Sequence, residues 1–168
     1  MQGKKAITCC VIGHRRVEVT DELRRYLKMT ILNLIANDGV DTFLFGNKGD
    51  FDKLCYEAIS EIREVYPNIK RVYVRAEFQE ISNSYEKYLL TRYEYTYYPV
   101  KIAKAGRAVY VERNYEMIEK SDYAIFYFDE AYTVKSGRYP SKSGTRLAYE
   151  FAMKKDVEIY NVANKQAF

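Results

Sequence analysis

The sequence is poor in the residues that build metal sites and disulfide frameworks. It has one histidine and three cysteines, and no CxxC spacing. Cys9 and Cys10 lie in an apolar segment and Cys55 on an apolar helix face, which is typical of buried free thiols in a reducing compartment. A single histidine does not supply the ligands of a typical zinc site, and no base lies near a cysteine to activate a nucleophile. We therefore expect no metal and no cofactor.

Long apolar runs and a strong charge of one sign are also lacking. No segment approaches the roughly 18 apolar residues of a membrane helix. The apolar run after Lys4 and Lys5 is short and has no small-residue cleavage site, unlike a signal peptide. The net charge of +4 suits an anionic small ligand but is too weak to indicate nucleic acid by itself. We predict a cytoplasmic protein with no membrane association.

Tryptophan is absent, whereas tyrosine occurs 18 times. Tyrosine combines apolar area with a polar tip and is common at interfaces and in ligand-stacking walls. Many of the tyrosines fall in residues 76–106, a segment without a clean strand pattern. We predict an insertion there of one or two short helices, Tyr85–Tyr93 and Val100–Ala105. The insertion could be a packing flap, a lid or the surface of a homodimer or higher homo-oligomer, and we expect self-association.

The rest of the chain alternates apolar strands with amphipathic helices. Strands are predicted at Lys5–Ile12, Asp41–Phe45, Ile69–Arg75, Ala108–Val111, Ala124–Phe128 and Val157–Val162. Strands joined through helices at short spacing indicate a parallel sheet with helices on its faces. We predict an α/β protein: a single Rossmann-like three-layer domain over residues 1–168, with a mostly parallel sheet and a helical insertion at about 76–106.

Three polar loops that contain glycine follow or adjoin predicted strands. They are Gly13–His14–Arg15, the set Gly46, Asn47, Gly49 and Asp52, and Ser143–Gly144–Thr145–Arg146. In such sheets ligands bind outside the carboxyl ends of the strands. The third loop opens a helix, whose unpaired N–H groups suit a phosphate, although an ordinary serine-capped helix has the same pattern.

Individual residues of these loops have more than one interpretation. His14 could contact a phosphate or a base, or be a hydrogen-bonding loop residue. Asp52 could cap the helix that follows it or accept a hydrogen bond from a ribose hydroxyl. Arg113 could hold a phosphate in a bidentate contact or pair with Glu112 or Glu116.

Taken with the block Arg113–Met117 and with Ser121–Asp122, these loops resemble motifs of the SLOG superfamily. That Rossmann-like group joins DNA-processing proteins of the DprA type with the Lonely Guy (LOG) cytokinin-activating hydrolases. The resemblance spans residues 5 to 162 and is nearest to the YpsA-like, DUF1273-type bacterial and phage proteins. It implies a nucleotide-type ligand, and it implies a bacterial cytoplasmic protein, or one acting in the host cytoplasm if phage-encoded.

The LOG hydrolases differ from this chain at the catalytic position. Glu112–Arg113 and Ser121–Asp122 match the LOG pattern, but Pro140–Ser141–Lys142 does not reproduce its PGG. The position of the catalytic glutamate is Ala148, and Glu150 lies about 200° further round the helix. The resemblance therefore implies phosphate binding without the hydrolytic carboxylate, and we expect no release of free base from AMP or related monophosphates at an enzyme-like rate.

We predict a sensing or sequestering module for a nucleotide or nucleotide-derived ligand that carries phosphate. The alternatives are a LOG-like nucleoside monophosphate phosphoribohydrolase, a phage anti-defence protein that captures a cyclic or ADP-ribose-type signal nucleotide, and a DprA-like protein that binds single-stranded DNA. The weak basic charge argues against the last. The predicted ligand-binding residues are Gly13, His14, Arg15, Gly46, Asn47, Gly49, Asp52, Arg113, Asn114, Ser143, Gly144, Thr145 and Arg146.

Overall fold

The computed structural model describes residues 3–132, 134–136 and 139–164. In chain order the elements are β1 (Thr8–Gly13), α1 (Asp21–Ala36), β2 (Thr42–Phe45), α2 (Gly49–Ile62), β3 (Lys70–Val74), α3 (Asn83–Leu90), β4 (Tyr95–Tyr97), α4 (Val109–Glu119), β5 (Tyr123–Tyr127), β6 (Val134–Ser136), β7 (Tyr139–Ser141), α5 (Gly144–Met153) and β8 (Glu158–Asn161). Two short 3₁₀ turns, Val100–Ile102 and Gly106–Ala108, precede α4.

Six of these strands form one sheet in the order β4-β3-β2-β1-β5-β8, and every neighbouring pair is parallel. The α/β prediction of a Rossmann-like arrangement is confirmed. The chain moves outward from β1 to β4 and then returns to the other side of β1 to form β5. The winding direction therefore reverses between β1 and β5, and in sheets of this kind ligands bind outside the carboxyl ends of the strands near such a reversal.

The core lies on both faces of the sheet because successive strand residues point to opposite sides. One face packs α1 and α2 on the sheet, with Leu27, Ile59 and Phe43 among the buried residues. On the other face Met117 and Ala148 pack against Phe126. The three cysteines are free and buried, as predicted. Burial raises the pKa of the Cys10 thiol to about 12, which keeps it protonated and unreactive.

The segment 76–106 differs from the predicted helical insertion. It contributes β4, an edge strand that pairs with β3 through Val72 and Tyr95 and their neighbours. Its helix is α3, which is capped by the Ser82 hydroxyl and ends at Leu90 rather than at Tyr93. In place of the predicted helix Val100–Ala105 there is only a 3₁₀ turn. The segment thus supplies the short edge strand of the sheet as well as a helix.

The predicted strand Ala108–Val111 is also wrong, because Val109–Val111 form the first turn of α4. The run has strand propensity, but as part of α4 it extends a helix that buries Arg113, Met117 and their neighbours at helical spacing.

The region predicted as a loop from Thr133 to Ser141 contains the antiparallel pair β6 and β7. Residues 133, 137 and 138 of that prediction lie outside the described residues. Within the described part of the chain, no helix is long and apolar enough to cross a membrane.

Candidate functional site

A cavity of about 400 Å³ lies at the carboxyl ends of β1 and β2, beside the first turns of α4 and α5. Most of the predicted ligand-binding residues line it, although they come from loops far apart in the chain. These are Gly13, His14, Arg15, Gly46, Asp52, Arg113, Asn114, Ser143, Gly144 and Thr145. The volume falls within the range of small-molecule sites in proteins. The topology therefore brings the three predicted loops to one place.

Two close backbone approaches hold the floor of this cavity. A Cβ atom on Gly13 would lie 2.2 Å from Cδ1 of the fully buried Phe51, so only glycine lets α2 pack against the end of β1. Gly49 has φ +87°, and a Cβ there would lie 2.5 Å from Cα of Arg15. The backbone N–H of Asp50 also donates to the carbonyl of Arg15 at 2.8 Å. The loops after β1 and β2 are thereby fixed against each other.

The N-terminus of α5 forms one wall of the cavity. Ser143 is the N-cap, and its hydroxyl accepts a hydrogen bond from the N–H of Arg146 at 3.0 Å. Among the described residues, the backbone N–H groups of Gly144 and Thr145 have no acceptor. The other four α-helices have an acidic residue in their first turn, whereas α5 has none. The positive end of the α5 dipole therefore faces the cavity without a neutralising carboxylate.

His14 is 2% exposed and is enclosed by aromatic rings. Tyr132 stacks on it with ring centroids 3.9 Å apart. The ring centroids of Tyr127 and Phe128 each lie 6.1 Å from that of His14. The backbone N–H of Asp129 donates to His14 Nε2 at 3.0 Å. Burial, opposed by Asp129 and helped by the charge of Arg146, lowers the pKa of the imidazole. The ring is therefore neutral at pH 7.

Arg113 is 3% exposed and ties α4 to the ends of two strands. Its Nη1 donates to the carbonyls of Gly46 at 2.9 Å and Val74 at 3.1 Å, and its Nε donates to Asn114 Oδ1 at 3.1 Å. Of the two contacts that the sequence left open for Arg113, an ion pair with Glu112 or Glu116 is not found among the described residues, and Glu116 pairs with Lys101 at 2.7 Å. Burial lowers the pKa of Arg113, while the charge of Asp52 acts in the opposite direction.

Asp52 is 8% exposed and is the one acidic side chain among the described residues that line the cavity. Its Oδ1 accepts a hydrogen bond from the backbone N–H of Gly46 at 3.2 Å. Burial raises the pKa of the Asp52 carboxyl to about 7, against the lowering effects of the Arg113 charge and of the Gly46 and Asn47 backbone. Asp52 therefore holds the loop after β2 and changes its charge near neutral pH.

Basic residues outnumber this single acid along the cavity wall. Arg15, Lys48, Arg113 and Lys142 all line it. Lys48 pairs with Glu77 at 2.6 Å and Lys142 with Glu150 at 2.9 Å. Among the described residues, no carboxylate lies within ion-pair distance of Arg15. Arg15 is therefore a cation available to an anion in the cavity.

Tyr110 brings three of these cations together. The Arg15 guanidinium carbon lies 5.9 Å and the Lys48 Nζ 5.2 Å from its ring centroid, and the Arg113 guanidinium carbon lies 5.8 Å away. The Tyr110 hydroxyl donates to Glu77 Oε1 at 2.6 Å. Tyr110 and Tyr132 thus provide aromatic surface in a cationic cavity, which is the kind of wall on which a base can stack.

Some predicted site residues do not line the cavity. The Arg146 Nη2 donates to the Glu130 carbonyl at 3.0 Å, and its guanidinium lies 5.2 Å from the Phe128 ring centroid. Asn47 adopts φ 55° and accepts from the Tyr93 hydroxyl at 3.3 Å. Gly49 allows the close approach of its backbone to Arg15. These residues shape the loops around the cavity.

The cavity is also lined by residues that were not predicted as site residues, namely Val11, Ile12, Lys48, Tyr110, Val111, Tyr132 and Lys142. Lys48 and Lys142 adjoin the predicted loops, and their positive charge beside a predicted phosphate site could have indicated them. Tyr110 was hidden by the wrong strand at Ala108–Val111. Tyr132 follows β5 after a short turn, and nothing in its local sequence distinguishes it from the other tyrosines.

No protein-family model and no curated protein matches this sequence. The resemblance to the SLOG superfamily therefore stays a prediction from the motifs. The nucleotide-type ligand that the resemblance implies also stays a prediction.

The geometry of α5 bears on the comparison with the LOG hydrolases. Ala148 is fully buried in the core beneath the helix and does not line the cavity. Glu150 pairs with Lys142 at 2.9 Å and also lies outside the lining. Within the described residues there is no cluster of three or more side chains of the kinds that bind metals.

Proposed function

We propose that the protein binds a nucleotide or nucleotide-derived ligand in this cavity and acts as a sensing or sequestering module. The observation that carries the proposal is the N-terminus of α5. Its Gly144 and Thr145 N–H groups have no described acceptor, and its first turn contains no acid. Such a helix end favours an anion through its dipole and through its free donors. The basic lining supplies countercharge to a phosphate.

The remaining surface of the cavity suits the rest of a nucleotide. Tyr110 and Tyr132 offer ring surface for a base. The Asp52 carboxylate and the His14 ring offer an acceptor and a donor deeper in the lining. A cavity of about 400 Å³ accommodates one nucleotide more readily than an extended strand of DNA. These features support a small phosphorylated ligand over single-stranded DNA.

The position of the carboxylates supports binding without hydrolysis. Glycosidic hydrolysis at this site needs an acid or base beside the sugar, and α5 has the buried Ala148 at the position where the LOG pattern has one. Among the described residues the one acid in the lining is Asp52, which lies on α2 rather than on α5 and whose Oδ1 accepts a hydrogen bond from the Gly46 backbone. Loss of general acid or base help lowers a rate by roughly 10² to 10⁴-fold.

Calorimetric titration with matched ligands tests the proposal. The panel is AMP, ADP-ribose and cyclic 3′,5′-AMP, with adenosine as the control that lacks phosphate. A hydrogen bond to a charged group is worth about 1.5 to 3 kcal/mol. We therefore expect at least one phosphorylated ligand to bind about 10 to 100 times more tightly than adenosine. No phosphorylated member binding more tightly than adenosine, or no binding by any member of the panel, would contradict the proposal.

A further inference from the structure

His14 has one hydrogen-bonding atom that the protein leaves without a described partner. The Nδ1 atom is buried and has no hydrogen-bond partner among the described residues. Buried polar atoms are seldom left unpaired, because the loss of hydration is not repaid. The residue is 2% exposed and lines the cavity. The side chain that carries this unpaired atom is therefore part of the same cavity wall as the free end of α5.

The protonation of this atom follows from its neighbour. The backbone N–H of Asp129 donates to Nε2 at 3.0 Å, so Nε2 must present its lone pair. A neutral imidazole then carries its proton on Nδ1. Burial favours the neutral ring over the imidazolium. His14 is accordingly set as a donor through Nδ1–H rather than as a cation or an acceptor.

The surroundings also determine which part of the ring can contact a ligand. Tyr132 is stacked on the ring with an interplanar angle of 18°, which covers one face. Tyr127 contacts the ring edge to face at 78°, and Phe128 contacts it at a tilt. Stacking of a base on the covered face is thereby excluded. A hydrogen bond from the ring edge is the contact that remains for Nδ1.

We propose that His14 is a specificity-determining residue whose Nδ1–H donates to an uncharged acceptor of the ligand, a base carbonyl or ring nitrogen or a sugar oxygen, while α5 holds the phosphate. This inference rests on the proposed function. It assigns the two contacts to different walls of the cavity. A ligand without a suitable acceptor would leave Nδ1 unpaired and would bind more weakly.

The assignment can be examined by NMR in the unmodified protein, because His14 is its only histidine. Long-range ¹H–¹⁵N correlation at pH 7 reports which ring nitrogen carries the proton. We expect Nδ1 to be protonated and Nε2 bare. Proton attachment to Nε2, or to both nitrogens, would overturn the proposal whether or not any ligand binds.

Ligand titrations in the same spectrum separate the two contacts. AMP is the probe, and inorganic phosphate is the control. The proposal expects AMP to move the Nδ1–H resonance, whereas phosphate alone leaves it in place. An equal shift with phosphate would make His14 a phosphate contact and would overturn the assignment. If none of AMP, ADP-ribose and cyclic 3′,5′-AMP binds, the proposed function fails and this inference fails with it.

A matched pair of variants gives an independent readout by calorimetry. In His14→Asn the shorter amide places a donor near the Nδ1 position, and in His14→Gln the longer amide reaches the Nε2 position and can accept from Asp129. Both lose the ring stacking on Tyr132, so that loss cancels between them. We expect AMP to bind His14→Gln about 5 to 10 times more weakly than His14→Asn. Equal affinities, or weaker binding by His14→Asn, would contradict the proposal.

Discussion

The buried carboxyl of Asp52 makes the stability of the protein depend on pH in a direction that can be worked out from its surroundings. In the folded protein the pKa of Asp52 is raised to about 7, whereas an unfolded aspartate has a pKa of about 3.9. Between these values the native state binds the proton and the unfolded state does not. Stability from this group therefore falls as the pH rises from about 4 to about 7 and is constant outside that window.

The magnitude follows from the difference between the two pKa values. Each unit corresponds to 1.36 kcal/mol, so the complete effect is about 4 kcal/mol. Part of it has already developed at pH 5. Between pH 5 and pH 8 we expect Asp52 to reduce the free energy of unfolding by about 2 to 3 kcal/mol.

The substitution Asp52→Asn isolates this contribution, because asparagine keeps an oxygen that can accept from the Gly46 N–H. Urea unfolding of both proteins at pH 5 and pH 8 gives their free energies of unfolding.

The pKa of His14 is lowered, so its contribution to stability has the opposite pH dependence: stability is lost as the pH falls below about 6.5. That effect is common to both proteins and cancels in the comparison. The variant should gain about 2 to 3 kcal/mol relative to the wild type on going from pH 5 to pH 8. Parallel pH profiles would refute the reasoning.

Three further predictions concern packing, chemistry and assembly. Gly13→Ala should lower the free energy of unfolding by about 1 to 3 kcal/mol in urea, because its Cβ would lie 2.2 Å from a Phe51 atom; an unchanged midpoint would contradict this contact. Incubation with AMP should release no free adenine by chromatography, because Ala148 replaces the expected carboxylate, and steady release above the uncatalysed rate would favour the hydrolase alternative. Light scattering at roughly 50 μM should show a dimer or larger species that Tyr88→Glu weakens, because Tyr88 and Leu90 are exposed large hydrophobic residues on α3; a wild-type monomer would count against self-association.

The parallel sheet could be predicted from the sequence because the central strands carry unbroken apolar runs. The run through Cys9 and Cys10 is buried on both faces, which is the pattern of a central parallel strand. The edge strand β4 was missed for the opposite reason. Tyr95, Thr96 and Tyr97 make up the whole strand, and Tyr95 is exposed, so no apolar pattern marks it.

The error at α4 shows a limit of local propensity. Val109 and Val111 favour a strand when considered alone, yet the burial of Arg113 and Met117 extends the helix backward through them. The same error hid Tyr110, which faces the cavity from the first turn of α4. A site that depends on the face of a helix cannot be complete until the helix is recognised.

The candidate site was predictable where glycine and polar residues follow strands, and less so where side-chain direction decides. Arg146 and Gly144 are neighbours in one motif, but only Gly144 lines the cavity. The guanidinium of Arg146 is held by the Glu130 carbonyl and the Phe128 ring, which lie far from it in sequence. Contacts of this kind are set by tertiary structure and leave no local pattern.

The central claim, that the N-terminus of α5 holds a ligand phosphate, is tested most directly by calorimetric titration of AMP into wild type, Gly144→Val and Gly3→Val. A Cβ at Gly144 meets nothing within 4 Å, so valine there fills space at the cavity without disturbing the fold. Gly3 is the matched control, because a Cβ there also meets nothing within 4 Å and Gly3 does not line the cavity. Loss of the charged contact should weaken AMP binding to Gly144→Val by about tenfold or more, with Gly3→Val unchanged. Equal affinities for all three proteins would contradict the claim.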